Sequence, residues 1–164
     1  MANVRQFLIA AGFSGAVLSG GVMIATEEAL VTGSYLDPVD IITACYGHTS
    51  PTLTPGQTFT EEQCLAQLAK DLVRYNNQLM SLTRQVQLTD QEHAAYLSFI
   101  YNIGAGAFST STLRKKLLAG DRVEACQQLS RWVYAKGKKL SGLVIRRERE
   151  RNLCLQGSAH ADMD

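Results

Sequence analysis

The sequence predicts an α+β protein: a small sheet lobe near the front, a mainly helical lobe behind it, and a weakly apolar helix ahead of both. Three observations carry this. Residues 33–56 hold short β-branched and aromatic pieces between Gly and Pro punctuation, the pattern of a hairpin or small meander. From residue 60 onward, apolar residues recur at helical spacing behind two N-capping signatures. Residues 7–25 carry no charge. With 164 residues, 46% of them hydrophobic, the chain can build one compact domain plus a short N-terminal addition. The expected division is a membrane segment over 1–26, a folded domain over 27–157 and a flexible tail over 158–164.

The uncharged run, "FLIAAGFSGAVLSGGVMIA", would be about 28 Å long as one helix, close to the hydrocarbon thickness of a bilayer. Arg5 and the α-amino group precede it, and Glu27 and Glu28 follow. This asymmetry predicts an N-in orientation, with the rest of the chain outside the cytoplasm. Ten of its residues are Gly, Ala or Ser, and the nine strongly apolar ones contribute only roughly 0.3–0.6 kcal/mol each, so insertion is marginal. Small residues also recur every four positions, Ala11, Gly15 and Ser19 on one stripe and Gly12, Ala16 and Gly20 on another, a spacing that permits close helix approach. An uncleaved weak membrane segment fits best. A signal peptide cut after Ala25 places Met23 where a small residue is wanted. A buried helix of the folded domain would carry Gly20 and Gly21 in its interior, where glycine is unfavourable.

The later elements follow in order. Thr60 to Gln63 forms a capping box, and Leu65, Leu68, Leu72 and Tyr75 then share a face. Thr89 to Glu92 forms a second box, opening a helix that ends at Gly104. Short helices are expected over 112–119, stopped by Gly120, and over 122–132; a last one over 143–155 is expected to stop at Gly157.

Net charge is +1, which gives no bulk electrostatic case for nucleic acid. The late basic clusters, "RKK", "KGKK" and "RRERER", read first as solvated helix faces with intrahelical ion pairs, and second as a positive surface for an anionic polymer such as cell wall or lipid headgroups. Cys45, Cys64, Cys126 and Cys154 form no CxxC pair and combine with no histidine at zinc-finger spacing. In an oxidising compartment they suit two disulfides, with three pairings open. No metal or cofactor is expected.

Glu28, Asp37 and Thr43, followed by Gly47 and His48, stand out as the candidate constellation for chemistry. A helix-end glutamate facing a hairpin aspartate can flank a glycosidic bond. One carboxyl, kept protonated by an apolar surrounding, protonates the leaving oxygen; the other activates water on the opposite sugar face, which a neighbouring threonine helps to hold. The spacing E-(x8)-D-(x5)-T-(x3)-GH, with "CYGHT", "FIYNIGAGAFSTSTLRKKLLAGD" and "RWVYAKGKKLSGLVIRRERE", resembles the phage-type lysozymes of glycoside hydrolase family 24 from Glu28 to about Gly157. The resemblance implies a lysozyme-like fold and an endolysin that cuts between N-acetylmuramic acid and N-acetylglucosamine of peptidoglycan by inverting hydrolysis. Glu28 would be the acid, and Asp37 and Thr43 would place the water. Tyr35, Tyr101 and Asn102, with Phe99, would line the sugar groove. His48 would support the hairpin, and Arg146 or Arg147 would pair with Glu28. It pairs Cys45 with Cys64 and Cys126 with Cys154. The front segment then resembles a signal-anchor-release domain, first in the host inner membrane with the enzyme in the periplasm, later released, with lysis dependent on a holin. Ala29 and Glu27 stand where the family usually has glycine and often histidine, and Asp40 adds a carboxylate to the hairpin loop. The rival readings are a lytic transglycosylase, for which a water-holding Asp37 and Thr43 are not needed, and a catalytically weak wall-binding or scaffold module.

Overall fold

A computed structural model describes residues 3–161. Met1, which carries the α-amino group, and residues 162–164 of the expected tail lie outside the described residues. The chain opens with α1 (Val4–Ala10), capped by the Asn3 side chain, which accepts from the Gln6 amide at 3.2 Å. A break at residues 11–14 leads into α2 (Gly15–Glu28). The uncharged run is therefore two helices, with Gly12 at φ +93° and Gly15 at φ +55° on either side of the break. These are left-handed conformations that glycine reaches without a Cβ penalty. No described helix is long and apolar enough to cross a membrane.

Both pieces belong to the core: Leu8 and Ile24 are fully buried. Gly20 and Gly21 sit where α2 presses hardest on its neighbours. A Cβ on Gly21 would lie 2.7 Å from Leu72 Cδ1, and one on Gly20 would lie 3.0 Å from Leu97 Cδ2. The glycine content that weakens a membrane helix is what lets this one pack.

The sheet lobe follows. β1 (Val31–Leu36) pairs antiparallel with β2 (Ile42–Cys45), Tyr35 opposite Thr43, and β2 pairs with β3 (His48–Thr49), Thr43 opposite Thr49. A disulfide from Cys45 to Cys64 staples β2 to the first turn of α3 (Glu61–Leu82).

In the helical lobe, both capping boxes form reciprocally, Thr60 with Gln63 at the start of α3 and Thr89 with Glu92 at the start of α4 (Asp90–Ile103). α4 is the central helix, buried from Ala94 to Tyr101 and packed between α2 and the last helix. α5 (Ala105–Thr110), α6 (Thr112–Leu118) and α7 (Arg122–Gln128) follow, then a 3-10 turn over Leu129–Arg131. The hairpin β4 (Tyr134–Ala135) and β5 (Lys138–Lys139) leads into α8 (Ser141–Ala161), which a second disulfide, Cys126 to Cys154, ties to α7.

Three expectations change. Gly157 does not stop the last helix, which runs through it to Ala161 with Ser158 buried, so residues 158–161 are not a loose tail. Gly157 allows close approach instead: a Cβ there would lie 3.0 Å from the Glu92 amide nitrogen and closer still to Thr89 Oγ1. "KGKK" lies on the turn of the β4–β5 hairpin and not on a helix. "RRERER" is helical but not a solvated face, since Arg146, Arg147 and Glu150 are buried.

Candidate active site

Glu28 ends α2, and Ala29 turns the chain away at φ +51°, ψ +153°. That region is essentially glycine's own. Ala29→Gly is expected to raise stability by about 1 kcal/mol, once the added freedom of glycine in the unfolded chain is set against the relief of strain. A rise in the midpoint of chemical denaturation is the reading that checks it.

The turn sends the two glutamates to different arginines. Arg149 Nη1 donates to Glu27 Oε1 at 2.8 Å, and Arg146 Nη1 donates to Glu28 Oε1 at 2.5 Å. Glu28, but not Glu27, lines a cleft of about 620 Å³ between the lobes. Its surroundings are not the apolar pocket expected for a catalytic acid, because a guanidinium sits against it. Glu28 Oε2 lies over Gly47, at φ +66°, where a Cβ would come within 2.5 Å of that oxygen. The glycine of the "CYGHT" stretch thus makes room for the carboxylate.

Arg146 is itself placed by Glu150, whose Oε1 accepts from Nε at 3.2 Å, and by the Ser98 carbonyl, which accepts from Nη2 at 3.1 Å. Burial opposes its charge, yet the Glu28 and Glu150 carboxylates outweigh this and hold the guanidinium above its ordinary value. Arg147 does not reach Glu28. It donates to Glu150 Oε2 at 2.6 Å and to Asn102 Oδ1, lies over the Phe99 ring, and is pushed down to about 10 by burial.

Across the cleft, Asp37 opens the β1–β2 turn, directly after β1. Its Oδ1 accepts from the amides of Val39 at 2.8 Å and Ile41 at 2.9 Å, leaving Oδ2 with no partner among the described residues. The Ile41 carbonyl in turn accepts from the Asp37 amide at 3.0 Å and from Thr43 Oγ1 at 3.1 Å. One residue, Ile41, therefore fixes both the carboxylate, through its N–H, and the hydroxyl, through its C=O, with the Thr43 lone pairs left to accept. Asp37, Thr43, Tyr35, Tyr101 and Asn102 all line the same cleft as Glu28.

The lining residues differ in what they offer. Tyr35 is 40% exposed; its hydroxyl is held above the ordinary value by partial burial, then by the Glu28 and Asp37 carboxylates. The Tyr101 hydroxyl is committed to the Tyr46 carbonyl at 2.6 Å, so only its ring is available, tilted at 47° against Tyr75 with 4.9 Å between centroids. Phe99 is fully buried against Trp132 and Phe108 and is core, not groove. Trp132 and Tyr134 line the cleft in its place; the signal for them was the tryptophan in "RWVY". His48 Nδ1 meets Asp71 Oδ2 at 2.7 Å, tying β3 to α3. No sequence signal marks Asp71, which sits beside the apolar face of its helix.

Burial raises the hydroxyls of Tyr96 and Tyr101 well above 10.0, the value each has when free. In the fold they keep their protons while the unfolded chain loses them, so this contribution is intact below about pH 10 and falls away as pH rises. Urea midpoints at about pH 8 and about pH 10.5 are expected to show the loss.

Residues 25–150 match the family described as phage lysozyme. The chain is 43% identical to the SAR-endolysin of Bacteriophage PS119 over 155 residues, 87% of this chain and 92% of that one. Among solved structures, the active form of P1 phage endolysin Lyz is similar with a TM-score of 0.76 at 25% identity, covering 96% of each chain. The secreted inactive form of that endolysin is less similar in fold, at 0.59 and 24% identity, covering 85% of this chain and 94% of that one.

Proposed function

The chain belongs to the phage lysozyme family, and on that footing we propose that its cleft performs inverting hydrolysis of the muramic acid glycosidic bond. Its function is that of an endolysin acting on peptidoglycan in host lysis. One observation carries the mechanism: Glu28 and Asp37 line one cleft, and each has one oxygen engaged and one left over. Arg146 holds Glu28 Oε1, so the proton goes from Oε2 to the glycosidic oxygen as the bond to the sugar C1 breaks. Water held between Asp37 Oδ2 and Thr43 Oγ1 attacks C1 from the other face and gives its proton to Asp37. Tyr35 and Trp132 supply apolar faces for the sugar rings, and Asn102, fixed by Arg147, supplies a polar edge. Digestion of purified sacculi is expected to yield new reducing ends on N-acetylmuramic acid. Reducing ends on N-acetylglucosamine would contradict the proposed bond.

The proposal extends to the front of the chain. Residues 1–26 first hold the enzyme in the inner membrane, N-in, through residues 7–25, and then join the domain in the periplasm; the timing of lysis depends on a holin. Nineteen uncharged residues and relatives called SAR-endolysins support this. So does the joint at residues 11–14. Gly12 and Gly15 can be helical in a continuous membrane helix and left-handed in the folded enzyme. While the run is inserted, Leu8 and Ile24 are missing from the core and Glu28 is held at the bilayer surface. Gly12→Ala favours the continuous helix and strains the broken one, both in the same direction, by about 2 kcal/mol in all. Cell fractionation is expected to show more of this variant in the membrane and later lysis. An unchanged distribution would remove the joint from the account.

A further inference from the structure

The cleft interior is lined by Glu28 and Asp37 but by no lysine or arginine. The cations stand at its rim. Lys136, Lys138 and Lys139 fall within four residues on the β4–β5 hairpin, whose Tyr134 and Ala135 form part of the cleft wall. All three are exposed, and Lys138 and Lys139 have no ion-pair partner among the described residues. Lys136 has one, and it comes from the opposite jaw: Nζ lies 2.5 Å from Asp40 Oδ2, at the tip of the β1–β2 turn. The pair joins two loop tips 96 residues apart, and both residues hold positive φ, +49° for Lys136 and +61° for Asp40. The Lys136 and Asp40 side chains are 51% and 75% exposed, so the contact is weak and readily exchanged.

We propose that this lysine hairpin is a carboxylate-binding subsite for the acidic peptide side chains that peptidoglycan carries on its muramic acid residues, and that Asp40 occupies it in the free enzyme. The inference rests on the hydrolase reading above. Three features support it. A carboxylate is already held there by Lys136, so the geometry suits that ligand. The hairpin continues the wall of the cleft that would hold the glycan, so a branch leaving a bound sugar emerges beside it. A polymer entering between the jaws has to part Asp40 from Lys136, and a peptide carboxylate then replaces the one displaced. Lys138 and Lys139 add positive potential that draws the anionic strand to the mouth.

The test compares two substrates with the full chain: glycan strands bearing peptides with free carboxylates, and the same strands after those carboxylates are capped as amides. Replacing all three lysines, as K136Q, K138Q and K139Q together, is expected to raise KM for free-carboxylate strands about tenfold relative to capped strands, with kcat changing alike on both. Asp40→Asn, which removes the internal competitor, is expected to lower KM for free-carboxylate strands about twofold to threefold. A triple variant whose KM rises equally on both substrates, or on neither, overturns the subsite. A rise in KM with Asp40→Asn overturns the exchange. Failure of the unaltered chain to cut either substrate would instead remove the hydrolase reading, and this inference with it.

Discussion

Glu28→Gln is expected to lower wall hydrolysis by about a thousandfold, the middle of the range that a positioned general acid contributes, while Glu27→Gln stays within a few fold of the unaltered enzyme. The two residues are adjacent and both end α2, but their surroundings separate them. Glu28 lines the cleft and has Oε2 over Gly47; Glu27 is outside it and meets the half-exposed Arg149. The glutamine variant keeps the shape of the side chain and an oxygen to accept from Arg146, and Arg146 keeps Glu150 and the Ser98 carbonyl. The fold should therefore persist, and an unaltered far-ultraviolet spectrum with lost clearing of sacculi is the expected pair of readings. Equal losses from both variants would reassign the acid.

Glu150→Ala is expected to cost about 3–5 kcal/mol of stability, because it leaves buried charge without its counterion. Glu150 is fully buried and accepts from Arg146, from Arg147 and from Ser98 Oγ at 2.7 Å. Burial pushes its carboxyl up, and the two guanidiniums and the serine oppose that. With the carboxylate gone, two guanidiniums remain in the core, and Arg146 loses one of the groups that aim it at Glu28. Activity is expected to fall along with the denaturation midpoint. Arg149→Ala, next to Glu150 in sequence but half-exposed, should change stability by about 1 kcal/mol or less.

This network shows where the sequence stops being legible. A run such as "RRERER" reads as a solvated face because charge usually is solvated, and only the packing of α8 against α4 places two of its arginines and one glutamate in the core. Gly157 has the same ambiguity: beside a helical pattern glycine reads as a stop, and only the N-terminus of α4 lying against it shows the need for close approach. The two-residue strands of the lysine hairpin are too short to leave a periodic trace. Phe99 is expected at the groove but is buried in the core, and Trp132, not expected there, lines the cleft in its place. Local signals fared better. Thr60 with Gln63 and Thr89 with Glu92 mark their helix starts because each capping box satisfies its own backbone donors within one turn. The spacing of Glu28, Asp37 and Thr43 was legible through family resemblance, whereas the shared hold of Ile41 on Asp37 and Thr43 was not, since it depends on the geometry of the turn.

The most direct test of the proposed chemistry is to digest sacculi in water enriched in oxygen-18 and examine the newly formed muramic acid ends at early times. Attack by water held at Asp37 and Thr43 predicts one labelled oxygen at C1 of each new end, first in the α configuration, inverted from the β bond that was cut. Unlabelled 1,6-anhydro ends, or labelled ends first in the β configuration, would contradict it.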